Sequence, residues 1–309
     1  MSFRKLSNAT VISLLRFHRS LLADEARTGA YRAAIDATVK PGDVVIDIGC
    51  GSGILSFFAC RAGARRVYAI DEGPVIELAR ELARENGFAD RITFLRKTSY
   101  DATIDEQADV IITETMGNNG LDEGITGILL DARRWLRPGG AFLPRSLALV
   151  AAPVEQAQDE FWRERRFDLD FARVATHLAN AFHPLDIDPQ SLLSESRTMA
   201  SVDFQNIDRA NVRGHASFEA ARRGTVAGLA VWFRAELAPG ITIENAPGGA
   251  LPSWKQSFFP IETPLDVDAG AAIDAHVETH DGIEWRWSIS ANGTRVEQTT
   301  LRSFPPLRG

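Results

Sequence analysis

Cysteine is nearly absent: Cys50 and Cys60 are the only two in 309 residues, which excludes a disulfide framework or a cysteine zinc site as the scaffold. A reducing compartment fits that scarcity. Positive charge is in deficit, with 34 Lys and Arg against 41 Asp and Glu and a formal net charge of −7. An acidic surface repels the phosphate backbone, so no nucleic-acid partner is expected. Long apolar runs are also missing, and none approaches the roughly 18 to 20 residues of a membrane span. The run Ala9 to Leu15 is broken by Arg16, His18 and Arg19 before any small-residue cleavage pattern, and Asp24 and Glu25 follow too soon for a cationic targeting segment. The expectation is a cytoplasmic protein without a membrane partner. No internal repeat or low-complexity tract interrupts the chain. What is present is 45% hydrophobic and 24% charged residues, enough for a full core, over a length that suggests about two domains.

Apolar residues recur at helical spacing over residues 8 to 22 and again over Ala30 to Ala37. From Asp43 strands and helices alternate: strand Val44 to Ile48, helix Ile54 to Arg61, strand Val67 to Ile70, helix Pro74 to Asn86, strands Ile92 to Leu95 and Val110 to Thr113. A helix then runs through Asp122 to Leu136 and ends at a Pro138-Gly139-Gly140 turn. Gly63 and Gly87 fall just past helix ends and Pro74 at a helix start. Short apolar strands between helices predict a parallel sheet covered on both faces. After Pro144 alternation takes over. Ile283, Trp285, Trp287 and Ile289 share one strand face, Ile273, Ala275 and Val277 another, and Asp281-Gly282 and Asn292-Gly293 read as hairpin turns. Between the halves, Phe161 to Leu185 reads as an aromatic-rich helical stretch whose Phe161, Trp162, Phe167, Leu169 and Phe171 need burial.

The first strand runs into Asp47-Ile48-Gly49-Cys50-Gly51-Ser52-Gly53 and then a helix. At that edge backbone N–H groups and a helix N-terminus meet, which suits an anionic or nucleoside ligand. The spacing is Gly-x-Gly-x-Gly rather than the Gly-x-Gly-x-x-Gly of dinucleotide sites, and Asp47 precedes the first glycine by two. A carboxylate there suits a ligand carrying an ammonium group, which S-adenosylmethionine does. Asp71, 22 residues after Gly49, ends the second strand where an acid can accept hydrogen bonds from both ribose hydroxyls. Adenine belongs near Ser99 to Asp101, although an ordinary polar loop explains those residues equally well. A nicotinamide cofactor is the competing ligand.

Glu114 ends the fourth strand and Glu123 follows nine residues later in "ETMGNNGLDEG". Strand carboxyl ends face the cofactor crevice, so Glu114 belongs there. Glu123 alone reads equally as an acid in a helix's first turn, favoured by the dipole.

At these residues the chain resembles the protein arginine methyltransferases. "LLADEARTGAYR" resembles that family's segment ahead of the first strand, "VVIDIGCGSGILSFFACRAGARRVYAID" its cofactor motifs, and "ADVIITETMGNNGLDE" its double-E loop. "RRWLRPGGAFLPRSLAL" is similar to the passage into its β-barrel and "PSWKQSFFP" to the barrel's threonine-histidine-tryptophan loop. The resemblance implies an α/β fold: N-terminal helices as a cofactor lid over 1–40, a Rossmann-like class I methyltransferase domain over 41–144, and a mainly β, barrel-like substrate domain over 145–309. A helical dimerisation arm at about 160–185 would make a homodimer. It implies S-adenosyl-L-methionine as cofactor, bound by Arg27, Asp47, Gly49, Gly51, Gly53, Asp71, Glu72, Ser99 and His18. It implies a guanidino-containing substrate, protein or small molecule, with Glu114 and Glu123 as catalytic residues and Met116, Asp24, Ser253 and Trp254 at the substrate. No metal is expected. His18 reads equally as a helix-surface histidine.

The chemistry is consistent with that assignment. A guanidinium titrates above about 12, so two carboxylates can draw its charge onto the nitrogens they contact and leave the third more nucleophilic. Several positions depart from the family. Ser7 to Leu15 contains no Tyr or Phe where a tyrosine-rich motif is usual, Ser253 stands where the family has histidine, Asn118 replaces an aromatic and Leu21 a methionine. The family's histidine is thought to work with the acid matching Asp24 on the product proton, which a serine cannot do. Two other readings therefore stay open: a methyltransferase acting on an amine or hydroxyl, and a catalytically silent cofactor-binding dimer. His177 and His280 read as structural or solvated, and Arg163, Arg165 and Arg166 as a solvated face.

Overall fold

In the computed structural model, which describes residues 8–156, 160–162, 164–249 and 253–303, two helices precede the first strand: α1 (Asn8–Ala23) and α2 (Glu25–Thr38). Asp24 separates them and caps α2, its Oδ1 accepting from the Arg27 backbone N–H at 3.0 Å. Arg27, Tyr31, Ala34 and Ile35 form the buried stripe of α2, three or four residues apart.

A parallel sheet follows. Its strands are β1 (Val44–Ile48), β2 (Arg66–Ile70), β3 (Ile92–Leu95), β4 (Ala108–Thr113) and β5 (Leu136–Leu143), in the spatial order β3-β2-β1-β4-β5. Every residue of β1 is buried, as its apolar run dictates for a central strand covered on both faces. Helices α3 (Ile54–Ala62), α4 (Val75–Glu85) and α5 (Ile125–Ala132) cover the sheet. The order reverses between β1 and β4, and the crevice that opens at such a reversal lies at the strands' carboxyl ends. Ile48 pairs with Thr113 across it, so the glycine loop after β1 and Glu114 after β4 leave the sheet side by side.

The expected helix Asp122 to Leu136 is shorter. α5 covers only Ile125–Ala132, a 3-10 turn takes Arg133–Trp135, and Pro138, Gly139 and Gly140 lie inside β5 rather than in a turn after the helix. β5 is the sheet edge and its pairing with β4 shifts register between Ala108 and Val110, the kind of irregular edge that accommodates proline and glycine.

The second half is built of β6 (Ser146–Val154), helix α6 (Ala172–Ala179), β7 (His183–Leu185), β8 (Arg197–Asp203), β9 (Val212–Glu219), β10 (Gly224–Ala238), β11 (Ile241–Glu244), β12 (Gln256–Val267), β13 (Ala272–His280), β14 (Glu284–Ala291) and β15 (Thr294–Thr299). They form two antiparallel sheets, β7-β12-β10-β6-β8 with β11 on β10, and β15-β14-β13-β9. β9 alternates buried and exposed along its whole length, as a strand with one wet face does. β10 is buried on both faces: Leu229, Val231 and Phe233 enter the main core, while Ala230 and Trp232 enter a second cluster with Val150, Ile187 and Phe258. Inside the barrel Phe259 stacks on Phe182 at 4.8 Å and meets Trp285 and Trp287 edge-on at 5.4 and 5.2 Å. The Asn292-Gly293 hairpin forms as read. Ile283, however, is 74% exposed at the β13–β14 tip and does not join Trp285, Trp287 and Ile289 in the core.

The stretch Phe161 to Leu185 is less helical than expected. Among its described residues α6 is the one α-helix; Glu160–Trp162 is a 3-10 turn, and Phe167 and Asp168 have φ of 52° and 61°, which an α-helix cannot carry. Phe161, Phe167 and Leu169 stay exposed within the single chain. Arg163 lies outside the described residues, Arg166 pairs with Glu164 and covers the Phe161 ring, and the Pro252 that opens the expected barrel loop is also outside them. Among the described residues no helix is long and apolar enough to cross a membrane, and no cluster of three metal-ligating side chains occurs.

Candidate active site

Three segments converge at the carboxyl edge of the sheet. The first is the glycine loop. Gly51 has a φ of 53°, and its N–H donates to Asp71 Oδ2 at 2.9 Å while the Gly73 N–H donates to Oδ1 at 2.7 Å, so Asp71 fixes the loop from the end of β2. A Cβ at 51 would also press on the His18 ring at 3.0 Å, which would have to give way. His18 thus lies over the loop from α1. Burial lowers its pKa against the pull of Asp71, and Arg27 lowers it a little further. Gly49 is open to solvent, Gly53 closes the loop as the N-cap of α3, Glu72 is exposed beside Asp71, and Ser99 is buried in the loop after β3, its carbonyl held by Arg134 at 2.9 Å.

Asp47 departs from the expectation that it faces the ligand. It is fully buried beneath the loop, where its Oδ2 accepts from Ser56 Oγ at 2.6 Å and its Oδ1 has no partner. Burial pushes its pKa up to about 7 from 3.8, with Asp71 adding to the rise and Ser56 opposing it. Between those two values the folded chain holds a proton that the unfolded chain has released. Stability therefore falls as pH rises through that window, and the loss is complete above about 7. Asp47→Asn should flatten this slope and raise the melting temperature at pH 8 by roughly 5 °C with little change at pH 4, read by calorimetry across pH. A variant that melts below the parent at pH 8 would refute the burial argument.

The second segment is α2. Tyr31 Oη donates to the Thr113 carbonyl at 3.0 Å and Thr113 Oγ1 to the Ile48 carbonyl at 2.9 Å, which stitches α2, β4 and β1 together at the crevice. One turn before Tyr31, Arg27 then falls on Glu114. They form an ion pair in which each side chain is only 10% exposed, and the Arg27 guanidinium also lies over the Trp254 ring at 5.4 Å. Burial lowers the Arg27 pKa while Tyr31, Asp24 and Glu123 raise it, so both glutamates act on the same cation.

The third segment is the hairpin from Glu114 to Glu123. Asp122 folds it by accepting from the Asn118 and Asn119 N–H groups at 3.3 and 3.1 Å. Met116 is fully buried within it. Glu123 stands at the solvent-open mouth, yet the surrounding protein pushes its carboxyl above the usual range, Asp122 adding and Arg27 opposing. Trp254 closes the far side, edge-on to Phe233.

Asp24 and Ser253 do meet, but not through side chains. Asp24 is 1% exposed, and with Oδ1 on the Arg27 N–H its Oδ2 accepts from the Ser253 N–H at 3.1 Å. Both oxygens are taken by backbone donors, so this acid latches the barrel loop to α2. Ser253 Oγ is buried with no partner.

Sequence reasoning missed Asn245, which no local signal marks. Its Oδ1 accepts from the Phe233 N–H at 2.9 Å and its Nδ2 donates to the Asn118 and Lys255 carbonyls at 2.7 and 2.8 Å, while Lys255 N–H donates to Asn118 Oδ1 at 2.9 Å. Gln256 completes the network by donating to the Asn245 carbonyl at 2.7 Å. Asn118 therefore serves as a polar clip where an aromatic was expected. Asn245→Ala orphans three backbone groups and should cost about 3 kcal/mol in chemical unfolding. An unchanged midpoint would mean the clip is dispensable.

These residues fit a nucleoside ligand with an amino-acid tail: an open glycine loop, an acid at the end of β2 and a buried arginine on α2. Residues 28–145 match the model of ribosomal protein L11 methyltransferase (PrmA), and residues 146–289 that of the arginine methyltransferase oligomerization subdomain. The chain is 34% identical over 235 residues to "Probable protein arginine N-methyltransferase 6" of Arabidopsis thaliana, a match covering 71% of this chain and 54% of that longer protein. It is 30% identical over 280 residues to protein arginine N-methyltransferase 6 of Xenopus tropicalis, covering 84% of this chain and 82% of the relative. In fold it is similar to a chain of the Trypanosoma brucei PRMT1 enzyme-prozyme complex, with a TM-score of 0.81 at 24% identity over 91% of this chain and 96% of that one. It is also similar to Arabidopsis thaliana protein arginine methyltransferase 10, with a TM-score of 0.76 at 21% identity over 92% and 97%. Matched by the two family models over residues 28–289 and by relatives along most of its length, the protein belongs to the protein arginine N-methyltransferase family of S-adenosylmethionine-dependent methyltransferases.

Proposed function

We propose that the protein transfers a methyl group from S-adenosylmethionine to a guanidino nitrogen of an arginine or arginine-like acceptor. The observation that carries this reading is Arg27: a guanidinium sits on Glu114, within the field of Glu123 and over Trp254, so the pocket already accommodates that group's charge and flat shape. The Trypanosoma brucei relative was solved with AdoHcy, the demethylated form of the cofactor, which supports the same ligand here. In this assignment Gly49, Gly51 and Gly53 receive the amino-acid end of the cofactor, Arg27 its carboxylate, Asp71 and Glu72 the ribose and Ser99 the adenine, with His18 as part of the lid. Asp47 supports the loop from below. When bound, the cofactor supplies an activated methyl on a sulfonium.

Glu114 and Glu123 hold the acceptor. Glu114 is buried and sets the orientation; Glu123, at the open mouth, fixes the second nitrogen edge. Together they concentrate the guanidinium's charge away from the nitrogen that reacts, while Met116 and Trp254 exclude water from the pocket. The acceptor nitrogen loses a proton on methylation. Asp24 is bound by two amides and Ser253 is no base, so Glu123, with its raised carboxyl pKa and open path to water, takes that proton to solvent. The exposed Phe161, Phe167 and Leu169 support a homodimer, and the net charge of −7 supports a protein without nucleic-acid partners. We place it in the cytoplasm, in keeping with two free, buried cysteines.

Isotopically labelled S-adenosylmethionine, offered with an arginine-rich protein extract and separately with a desalted small-molecule extract containing free arginine, tests the reading. Label on guanidino nitrogen in either fraction is the expected result and identifies the acceptor's size. Label confined to amines or hydroxyls, or none, overturns it.

A further inference from the structure

The β13–β14 hairpin tip, Asp281 to Ile283, reaches from the barrel to the chain that follows Glu123. Helix α5 begins there with Gly124 as N-cap, which makes no side-chain cap. The first turn of a helix carries free N–H groups and partial positive charge, so an acid is favoured beside it. Asp281, in the distant β13–β14 turn, brings a carboxylate against that turn of the helix without hydrogen-bonding to it. A Cβ on Gly127, in the first turn of α5, would lie 2.0 Å from Asp281 Oδ1, a buried oxygen that accepts no hydrogen bond. A Cβ on Gly282 would lie 2.0 Å from the Leu121 carbonyl oxygen and 3.0 Å from the Gly124 nitrogen. The tip is held rigidly: the Trp285 indole, fully buried, donates to the Gly282 carbonyl at 2.9 Å, and Asp281 takes a φ of 56° to make the turn. Glycine inside a helix costs about 1 kcal/mol relative to alanine, and Gly127 is explained by the carboxylate that occupies the place of its side chain.

We propose that Asp281 is a positioning residue for Glu123, packing against the first turn of α5 from the barrel so that the second acceptor-binding carboxylate is set by how the barrel docks on the sheet. The chain on the other side of Glu123 is folded by Asp122 and clipped by Asn245, so Asp281 supplies the remaining restraint. The proposal rests on the assignment of Glu123 to the acceptor. It adds that Gly127 and the Asp281-Gly282 turn, far apart in sequence, make a single contact on which acceptor binding depends.

The test uses Gly127→Ala, Asp281→Gly, the double variant and Asp281→Asn, each assayed with whichever acceptor fraction the parent labels. Gly127→Ala and Asp281→Gly should each raise the acceptor KM about tenfold, leaving cofactor affinity within twofold in calorimetry. The double variant should recover most of the Gly127→Ala defect, because the methyl enters the space the carboxylate leaves, and Asp281→Asn should stay near the parent in KM. A double variant no better than Gly127→Ala alone, or cofactor affinity falling in step with acceptor KM, overturns the proposal. So does a coupling visible in thermal unfolding with acceptor KM unchanged, which would make the contact structural only. A parent that labels amines or hydroxyls instead would defeat the guanidino assignment while leaving these comparisons readable.

Discussion

Glu114→Gln should lower methyl transfer by about 100- to 1,000-fold, the loss seen when one preorganised electrostatic contact is removed from a reacting centre. The amide keeps the shape of the side chain and removes its charge, so acceptor orientation and charge concentration fail together. Glu123→Gln should cost less, about tenfold to 100-fold, because Glu123 stands at the solvent-open mouth where water screens it. The two variants also differ in their effect on the cofactor. In Glu114→Gln the Arg27 guanidinium loses its carboxylate partner and becomes more available to a ligand carboxylate, so cofactor affinity holds or rises while turnover collapses. A general loss of folding would lower both. Full-rate transfer by either variant would falsify the paired-carboxylate assignment.

Arg27→Met should weaken cofactor binding by about 100-fold, the worth of a buried hydrogen-bonded charge contact of roughly 3 kcal/mol. The same change leaves Glu114 ionised, buried and alone, a state that costs about 3 to 5 kcal/mol when one partner of such a pair is removed. Its sign with pH follows. An unpaired buried carboxyl has a raised pKa, so the folded variant takes up a proton more readily than the unfolded chain, and the destabilisation is largest at pH 8 and shrinks toward pH 5. Arg27→Lys keeps the charge without the planar fork over Trp254 and should recover part of the stability but little of the affinity. Calorimetric titration and unfolding curves at the two pH values separate these effects; equal losses at both would mean that Arg27 and Glu114 are not coupled.

The glycine-loop element at the crevice was legible in the chain because its signals are local. A strand, a glycine loop and a helix follow one another within about twenty residues, and the acid ending the next strand is set beside them by parallel topology alone. Glu114 could be placed at the crevice for a similar reason, since it directly follows the end of β4, whereas Glu123 lies ten residues beyond that end. Asp47 was misread as facing the ligand: sequence places it beside the loop but does not say that it lies underneath. The stop of α5 at Ala132 was misread because Pro138 and Gly139 are tolerated in an irregular edge strand, and edge position is a property of the sheet.

By itself, then, the amino-acid order determined the parallel sheet, the alternating strands, the glycine loop and the residue types that a charged acceptor needs, since each depends on neighbours a few positions away. Only the tertiary structure decided that Arg27 sits on Glu114, that Asp24 gives both oxygens to amides, that Asn245 clips the hairpin and that Asp281 fills the space left by Gly127. Those contacts join segments about 90 to 230 residues apart, and close packing between separately folded elements, not any local periodicity, brings their atoms together.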